Sequence, residues 1–182
     1  MKLPTLRRDD SGAGTTAPGA TSAADAGLLL LRLAVGLILA GHGAQKLFGW
    51  FGGPGLDATG KAFAQLGYEP GTFFAALAGI SEFLGGLGLA IGLLTPLASA
   101  ALIGTMINAM AIAPDISLWS EESAAFTYPM LLAVGALTVA AVGPGRLSLD
   151  LPFPWRDGGW GPAGFALIAG GVGAAIVLAL AA

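Results

Sequence analysis

The chain has 182 residues, of which 55% are hydrophobic and only 10% charged, and its formal net charge is −3. Soluble proteins average about 25% charged residues, so the composition excludes a soluble protein, and the small net charge offers no basic surface for nucleic acid. The absence of cysteine excludes disulfides, thiol relays and iron–sulfur clusters, so any redox chemistry needs a partner or a diffusible cofactor.

The chain begins with a polar, low-complexity region and then becomes apolar. Residues 1–26 combine a few cations with a tract of small residues and proline, which predicts a disordered tail. The stretch from Gly27 to Leu47 has about 20 mostly apolar residues, enough for a helix to cross ~30 Å of hydrocarbon. Phe48, Trp50 and Phe51 follow at the position of an interfacial aromatic belt. An alternative interpretation is an aromatic platform for a quinone or another substrate.

Four more apolar segments follow the first. We predict spans from Gly71 to Leu94, from Pro96 to Ala113, from Ala124 to Val142 and over residues 161–182, with a short helix from Asp57 to Leu66. Thr95-Pro96 separates two spans, because proline is tolerated in the first turn of a helix. The expected fold is therefore all-α: a polytopic membrane four-helix bundle over residues 27–150, then an amphipathic linker and an additional C-terminal transmembrane helix within 151–182.

The distribution of cations predicts the orientation in a cell membrane. Placing the N-terminus in the cytoplasm and the C-terminus outside assigns most cations to the inner side: Lys2, Arg7, Arg8, Arg146 and Arg156. The outer side then holds Lys61 and an acidic loop over residues 115–122. This arrangement satisfies the excess of positive charge expected in cytoplasmic loops, and we expect the inner membrane as the location.

Polar residues inside the spans are the candidate site. Arg32, His42 and Lys46 share one face of the first span, with Gly36 and Gly43 beside them, so this face should point into the bundle. Glu82 lies near the middle of the second span, where a charge costs about 2.5 to 3.5 kcal/mol and needs a partner or a proton. Asn108 of the third span is expected at nearly the same depth.

Each of these positions has a structural interpretation beside a functional one. Arg32 is expected to be the better ion-pair partner for Glu82, because its charge does not titrate away, although it could instead contact lipid phosphates. Lys46 is expected to be an interfacial anchor. His42 could be a structural hydrogen-bonding residue, a ligand or a proton carrier. Glu82 is a functional candidate, or it pairs structurally with Arg32 or Asn108.

Three segments resemble the DoxX family of small membrane proteins. They are RLAVGLILAGHGAQKLFGWFGG (Arg32–Gly53), SEFLGGLGLAIGLLTP (Ser81–Pro96), and YPMLLA with GPGRLSLD (Tyr128–Asp150). The resemblance covers about residues 27–150 and implies a four-helix membrane bundle. Some DoxX members are similar to membrane partners of superoxide dismutase and a sulfurtransferase, and the related DoxD group is similar to a membrane subunit of a thiosulfate:quinone oxidoreductase. The resemblance carries no catalytic residue onto this chain.

Three functions stay open on these grounds. The first is an accessory or anchoring subunit that organises a partner of a membrane redox or oxidative-stress system. The second is a quinone-linked oxidoreductase subunit, in which Glu82 and His42 exchange protons while a quinone lies near Phe48–Phe51. The third is a small-solute transporter, which the lack of a broken-helix repeat disfavours.

Overall fold

A computed structural model describes residues 22–120 and 122–181. The regular secondary structure within these residues is helical, and they contain no β-strand. The elements are α1 (Ala23–Phe48), a 3₁₀ turn (Trp50–Gly52), α2 (Gly55–Gln65), α3 (Gly71–Ile91), α4 (Thr95–Ala111), α5 (Ala124–Val142) and α6 (Trp160–Ala181). The predicted all-α class is confirmed. Most of the predicted tail, residues 1–21, lies outside the described residues.

Local sequence signals explain where the helices begin and end. Ser22 and Asp25 form a capping box, so α1 starts four residues before the predicted Gly27. Gly49 and Gly92 end α1 and α3 in the left-handed conformation that glycine adopts without steric cost. Pro96 lies in the first turn of α4, so the predicted break between the second and third spans is confirmed.

Four helices, α1, α3, α5 and α6, are long and apolar enough to cross a membrane. The third predicted span forms as α4, whose 17 residues are fewer than the ~20 that a full crossing needs. This shorter helix packs against α3, α5 and α6. It is therefore the central helix of the bundle, and its neighbours carry most of the lipid-facing surface.

The helices alternate in direction, and contacts between loops identify the two ends of the bundle. At one end, here called the Ser22 end, Asp25 accepts a hydrogen bond from Arg146 N, and Asp150 accepts one from Leu94 N. At the other, here called the Tyr68 end, the loop after α2 approaches the last residues of α6, with Gly67 near Ala181. Each of the long helices α3, α4, α5 and α6 thus runs antiparallel to the long helix before it, as the predicted topology requires.

Glycines set the spacing between α1 and α3. A β-carbon added at Gly36 would lie 2.5 Å from Gly86 O, and one at Gly43 would lie 2.6 Å from Gly79 O. The two backbones are therefore in direct contact, which small residues permit in membrane helices. The predicted bundle-facing side of α1 is confirmed, because Gly36, Gly43 and Leu39 between them are buried.

Candidate functional site

A salt bridge joins α1 to the middle of α3. Lys46 Nζ donates a hydrogen bond of 2.5 Å to Glu82 Oε2, and the side chains are 23% and 6% exposed. Lys46 lies in the last turn of α1 and Glu82 halfway along α3, so the lysine side chain extends back along α1 toward the bundle centre. The other two ion pairs found within residues 22–120 and 122–181 are far more exposed.

The salt bridge lies in the wall of a cavity of about 450 Å³. Residues from α3, α4 and α6 form most of its lining, which is apolar apart from a few side chains. On the central helix α4, the residues that line the cavity include Ala100, Ala101 and Gly104. On α6, the lining residues lie between Ala169 and Val177. Small residues on α4 and α6 thus leave an open volume beside a charged pair.

The remaining polar side chains of the cavity lie towards the Tyr68 end. Tyr68 donates a hydrogen bond of 3.3 Å to Asn108 Oδ1, and the Asn108 amide nitrogen donates to Gly104 O of its own helix. Ser81 and Thr105 also line the cavity. Tyr68 is almost fully buried between Phe63 and Phe74, and this burial raises the pKa of its phenol.

Asn108 and Glu82 therefore face the same cavity, as their predicted depths suggest, and no hydrogen bond between them is formed.

The prediction that Arg32 pairs with Glu82 is wrong. The Arg32 guanidinium is buried at the Ser22 end, where it donates to Pro144 O and, at 2.5 Å, to Leu147 O. Arg32 lies four turns before Lys46 on α1, so Glu82 is beyond its reach. The backbone of the loop after α5 thus supplies acceptors for the two terminal nitrogens of this buried guanidinium.

Asp150 and Asp25 hold the same loop in place. The Asp150 carboxylate is fully buried and accepts from Leu94 N and Thr95 N, both at 2.8 Å, so it caps the start of α4 from a distant segment. Asp25 accepts from Arg146 N as well as from Ser22. We call Arg32, Asp25 and Asp150 the loop clamp, because each of these side chains forms hydrogen bonds with backbone groups at the Ser22 end.

The expectation that Lys46 is an interfacial anchor is also wrong, because its ammonium binds Glu82 inside the bundle. His42 lies outside the cavity lining, and its ring nitrogens contact Gln45 Oε1 and Tyr128 OH at 3.2 and 3.3 Å. The aromatic residues Phe48, Trp50 and Phe51 contact one another and are half or more exposed. That exposure agrees with an interfacial belt, and none of the three lines the cavity.

Comparison with known proteins identifies the family. The DoxX family profile matches residues 27–115. An uncharacterized membrane protein of Mycobacterium tuberculosis is 31% identical over 134 residues, which cover 68% of this chain and 78% of the relative. The chain belongs to the DoxX family. No solved structure matches it.

The part that matches the DoxX profile contains only one side of the candidate site. Lys46, Tyr68, Glu82 and Asn108 all lie within residues 27–115, whereas the α6 wall of the cavity lies beyond them. Two members of the loop clamp also lie outside the match, Asp25 before it and Asp150 after it. This DoxX protein therefore builds its cavity by packing α6 against the central helix of the family core.

Sequence reasoning missed Tyr68 and Asp150. Tyr68 stands in a polar loop and reaches the cavity only because α2 folds back on α3. Asp150 could have been recognised as a candidate because it is the only acidic residue in GPGRLSLD, one of the segments that resemble the DoxX family. The glycine spacing does not identify the partner of Glu82 either. Pairing Gly36 with Gly86 and Gly43 with Gly79 in antiparallel register places Glu82 opposite Ala40, between Arg32 and Lys46.

Proposed function

We propose that this DoxX-family protein binds an amphipathic, lipid-soluble molecule of quinone type in the cavity between α3, α4 and α6. The observation that supports the proposal is the Lys46–Glu82 salt bridge in the wall of a largely apolar cavity. Small-molecule sites typically combine an apolar lining with a few polar groups that orient the ligand. We further propose that the protein acts as an accessory subunit of a membrane redox or oxidative-stress system.

The polar end of the cavity has the groups that a quinone headgroup needs. Its carbonyl oxygens accept hydrogen bonds, and Lys46 Nζ carries three donors, of which one reaches Glu82. When a redox partner supplies the electrons that reduce the bound quinone, we assign to Glu82 the transfer of protons to the headgroup oxygen, since a carboxyl in hydrogen-bonding range acts as a general acid or base. We assign this role to Glu82 with Lys46, rather than with His42, because His42 does not line the cavity.

The shape of the cavity suits an elongated apolar tail. Its lining residues on α4 run from Leu97 to Ala109, which corresponds to about 18 Å of helix. Leu77 and Leu97 line the cavity and are 40% and 55% exposed, so the cavity opens on the lipid-facing surface. A ligand dissolved in the bilayer would enter sideways. For this reason we propose the cavity, rather than the Phe48–Phe51 segment, as the quinone position.

A purely structural role for the salt bridge is the competing interpretation. Replacing a buried ion pair by apolar residues of similar volume is often neutral or stabilising, so pairing alone gives little reason to keep two charges here. The double variant Lys46→Met/Glu82→Leu separates the two roles. It should fold as well as the wild type and lose the ligand.

Photolabelling in lipid nanodiscs tests the proposal directly. The probe is a benzoquinone with a photoreactive isoprenoid tail, and labelled peptides are identified by mass spectrometry. We expect labels on α3, α4 and α6, and about tenfold less labelling when Ala101→Phe fills the cavity, because a bulky side chain there excludes the tail.

The matched control is Lys61→Met/Asp57→Leu, which removes an exposed salt bridge outside the cavity. Labelling should be unchanged in this control and lost in Lys46→Met/Glu82→Leu. Labels confined to the Phe48–Phe51 segment, or equal labelling of folded Ala101→Phe, would reject the cavity as the site.

We also propose that the protein lies in the inner membrane with its Ser22 end facing the cytoplasm. Arg146 and Arg156 lie in the loop at that end, and Lys61 lies in α2 at the Tyr68 end, which agrees with the excess of cations on cytoplasmic sides. The chain has no cysteine, so single Pro154→Cys and Ala58→Cys variants report each end without background. In intact cells, a membrane-impermeant maleimide should label Ala58→Cys only, and labelling of Pro154→Cys instead would reverse the orientation.

A further inference from the structure

Asn108 has an unused hydrogen-bond donor in the wall of the cavity. Its Nδ2 donates one N–H to Gly104 O at 3.0 Å, and its Oδ1 accepts from Tyr68. Within residues 22–120 and 122–181, the second N–H of this amide has no acceptor. We infer that this N–H donates to a second oxygen of the bound ligand, so that the cavity selects headgroups with oxygens on two sides. The inference rests on the proposed quinone site and names a residue that determines its specificity.

Tyr68 holds the Asn108 amide in one orientation. The phenol is almost fully buried, with ring contacts to Phe63 and Phe74, and its O–H donates to Asn108 Oδ1 at 3.3 Å. Exchanging the amide oxygen and nitrogen would place an oxygen against Gly104 O, which only accepts hydrogen bonds. The nitrogen therefore stays where it is. Tyr68 is thus a positioning residue, and Asn108 is the group that contacts the ligand.

The distance between the two polar parts of the cavity suits a single ring. A β-carbon at Gly85 would lie 3.1 Å from Leu102 Cδ2, so these positions are level in the adjacent helices α3 and α4. Counting towards the Tyr68 end, Glu82 is three residues from Gly85, and Asn108 is six residues from Leu102. At 1.5 Å per residue, Asn108 lies about 4.5 Å further towards that end than Glu82. A headgroup with an oxygen on each side of one ring therefore reaches both.

The apolar lining makes the unused donor selective. A polar N–H in apolar surroundings costs free energy when it has no acceptor, and a ligand oxygen recovers that cost. A ligand without the matching oxygen leaves the N–H unpaired and is rejected for that reason. Lys46 carries a charge and is the stronger donor, so it takes the first oxygen of either kind of ligand. Asn108 then distinguishes one oxygen from two.

Competition against the photoreactive benzoquinone probe in nanodiscs tests the inference. The two competitors carry the same decyl tail and ring methyl groups, one on a 1,4-benzoquinone and the other on a cyclohexenone, which has a single oxygen. The readout is the ratio of their half-inhibitory concentrations. Comparing this ratio between variants cancels differences in lipid partitioning and in the amount of folded protein.

Asn108→Leu keeps the approximate size of the side chain and removes its donors. We expect the preference for the quinone to fall about tenfold in this variant, the effect of one hydrogen bond, because only the quinone has the second oxygen. Binding of the cyclohexenone should be unchanged, whereas damage to the cavity would weaken both competitors together.

Tyr68→Phe and Tyr128→Phe form a matched pair. Each removes a phenol O–H with a contact of 3.3 Å, but Tyr128 contacts His42 outside the cavity lining. The preference for the quinone should fall about threefold in Tyr68→Phe, half the free energy of one hydrogen bond, because Asn108 loses its fixed orientation. It should keep the wild-type value in Tyr128→Phe.

The outcomes separate this inference from the quinone site itself. Equal ratios in the wild type and in Asn108→Leu, with the quinone competing in both, overturn the inference and leave the quinone site in place. A reduced ratio in Asn108→Leu with a wild-type ratio in Tyr68→Phe overturns the positioning role of Tyr68. If the quinone does not displace the probe from α3, α4 and α6 of the wild type, the proposed function is rejected and the inference with it.

Discussion

Lys46 Nζ lies 2.5 Å from Glu82 Oε2 and links the last turn of α1 to the middle of α3. The Glu82 side chain is almost fully buried, the Lys46 side chain is partly buried, and both line the same cavity. Within the described helices α1 and α3–α6, Glu82 is the only carboxylate that lies away from a helix end. The contact with Lys46 gives this carboxylate a cationic partner. Its energetic consequences can be separated from its proposed role in binding.

Removing one member of this pair should destabilise the fold more than removing both. Lys46→Met leaves the buried Glu82 carboxylate without a partner, at a cost of about 3 kcal/mol, whereas Lys46→Met/Glu82→Leu should recover most of that loss. The measurement is unfolding in mixed micelles by increasing denaturing detergent. The exposed pair provides the control, since Lys61→Met and Asp57→Leu should each have little effect. Additive losses in the double variant would mean that the two charges do not depend on each other.

The contact between α1 and α3 should not tolerate a methyl group. A β-carbon at Gly86 would lie 2.5 Å from both Gly36 O and Ala40 N, so Gly86→Ala forces the helices apart and should cost about 3 kcal/mol. At Gly164 on α6 a β-carbon meets nothing within 4 Å. Gly164→Ala should therefore be neutral, or stabilising by up to about 1 kcal/mol. Equal unfolding midpoints for the two variants would contradict this account of the packing.

The cap that Asp150 provides should be visible at the start of α4. Asp150→Ala leaves Leu94 N and Thr95 N without an acceptor and should cost about 2 kcal/mol. Hydrogen exchange at these two amides should accelerate, while the middle of α4 changes less. Asp157→Ala, in the same loop but exposed, should stay within about 0.5 kcal/mol of the wild type. Unchanged exchange at Leu94 and Thr95 would show that water replaces the carboxylate.

Tyr68 should make stability fall at high pH. Burial raises the pKa of its phenol, so the folded state favours the protonated form. Stability from this group is complete below the unfolded pKa of about 10 and is lost as the pH rises above it towards the folded pKa. Tyr68→Phe should reduce the slope of the unfolding midpoint against pH in this range. An identical slope in both proteins would mean that the phenol ionises equally in the folded and unfolded states.

The positions of the helices followed from the sequence because each depends on local properties. Apolar length and Pro96 at the start of α4 identified every long helix to within a few residues, although the capping box that starts α1 at Ala23 was not recognised. The inward face of α1 was also correct, since polar and small residues on one side avoid lipid. The amphipathic segment after α5 was recognised as non-spanning, but its contacts were not.

Those contacts were missed because they involve backbone acceptors far away in sequence. Arg32 finds its partners in Pro144 O and Leu147 O, and a carbonyl group has no signature in a sequence. The partners expected for Arg32 were the Glu82 carboxylate and lipid phosphates. The loop after α5 supplies acceptors for both terminal nitrogens of the guanidinium instead, and Glu82 pairs with Lys46.

By itself, the sequence determined that this is an all-helical membrane protein of the DoxX family with a polar face on its first span, because hydrophobic length, periodicity and family motifs are properties of short segments. Only the tertiary structure decided which charges meet and where a ligand could lie. The glycine contacts between α1 and α3 fix the register that brings Lys46 to Glu82, and the packing of α6 on α4 encloses the cavity beside them. Both depend on how whole helices approach one another, and that distance is set by all their facing residues together.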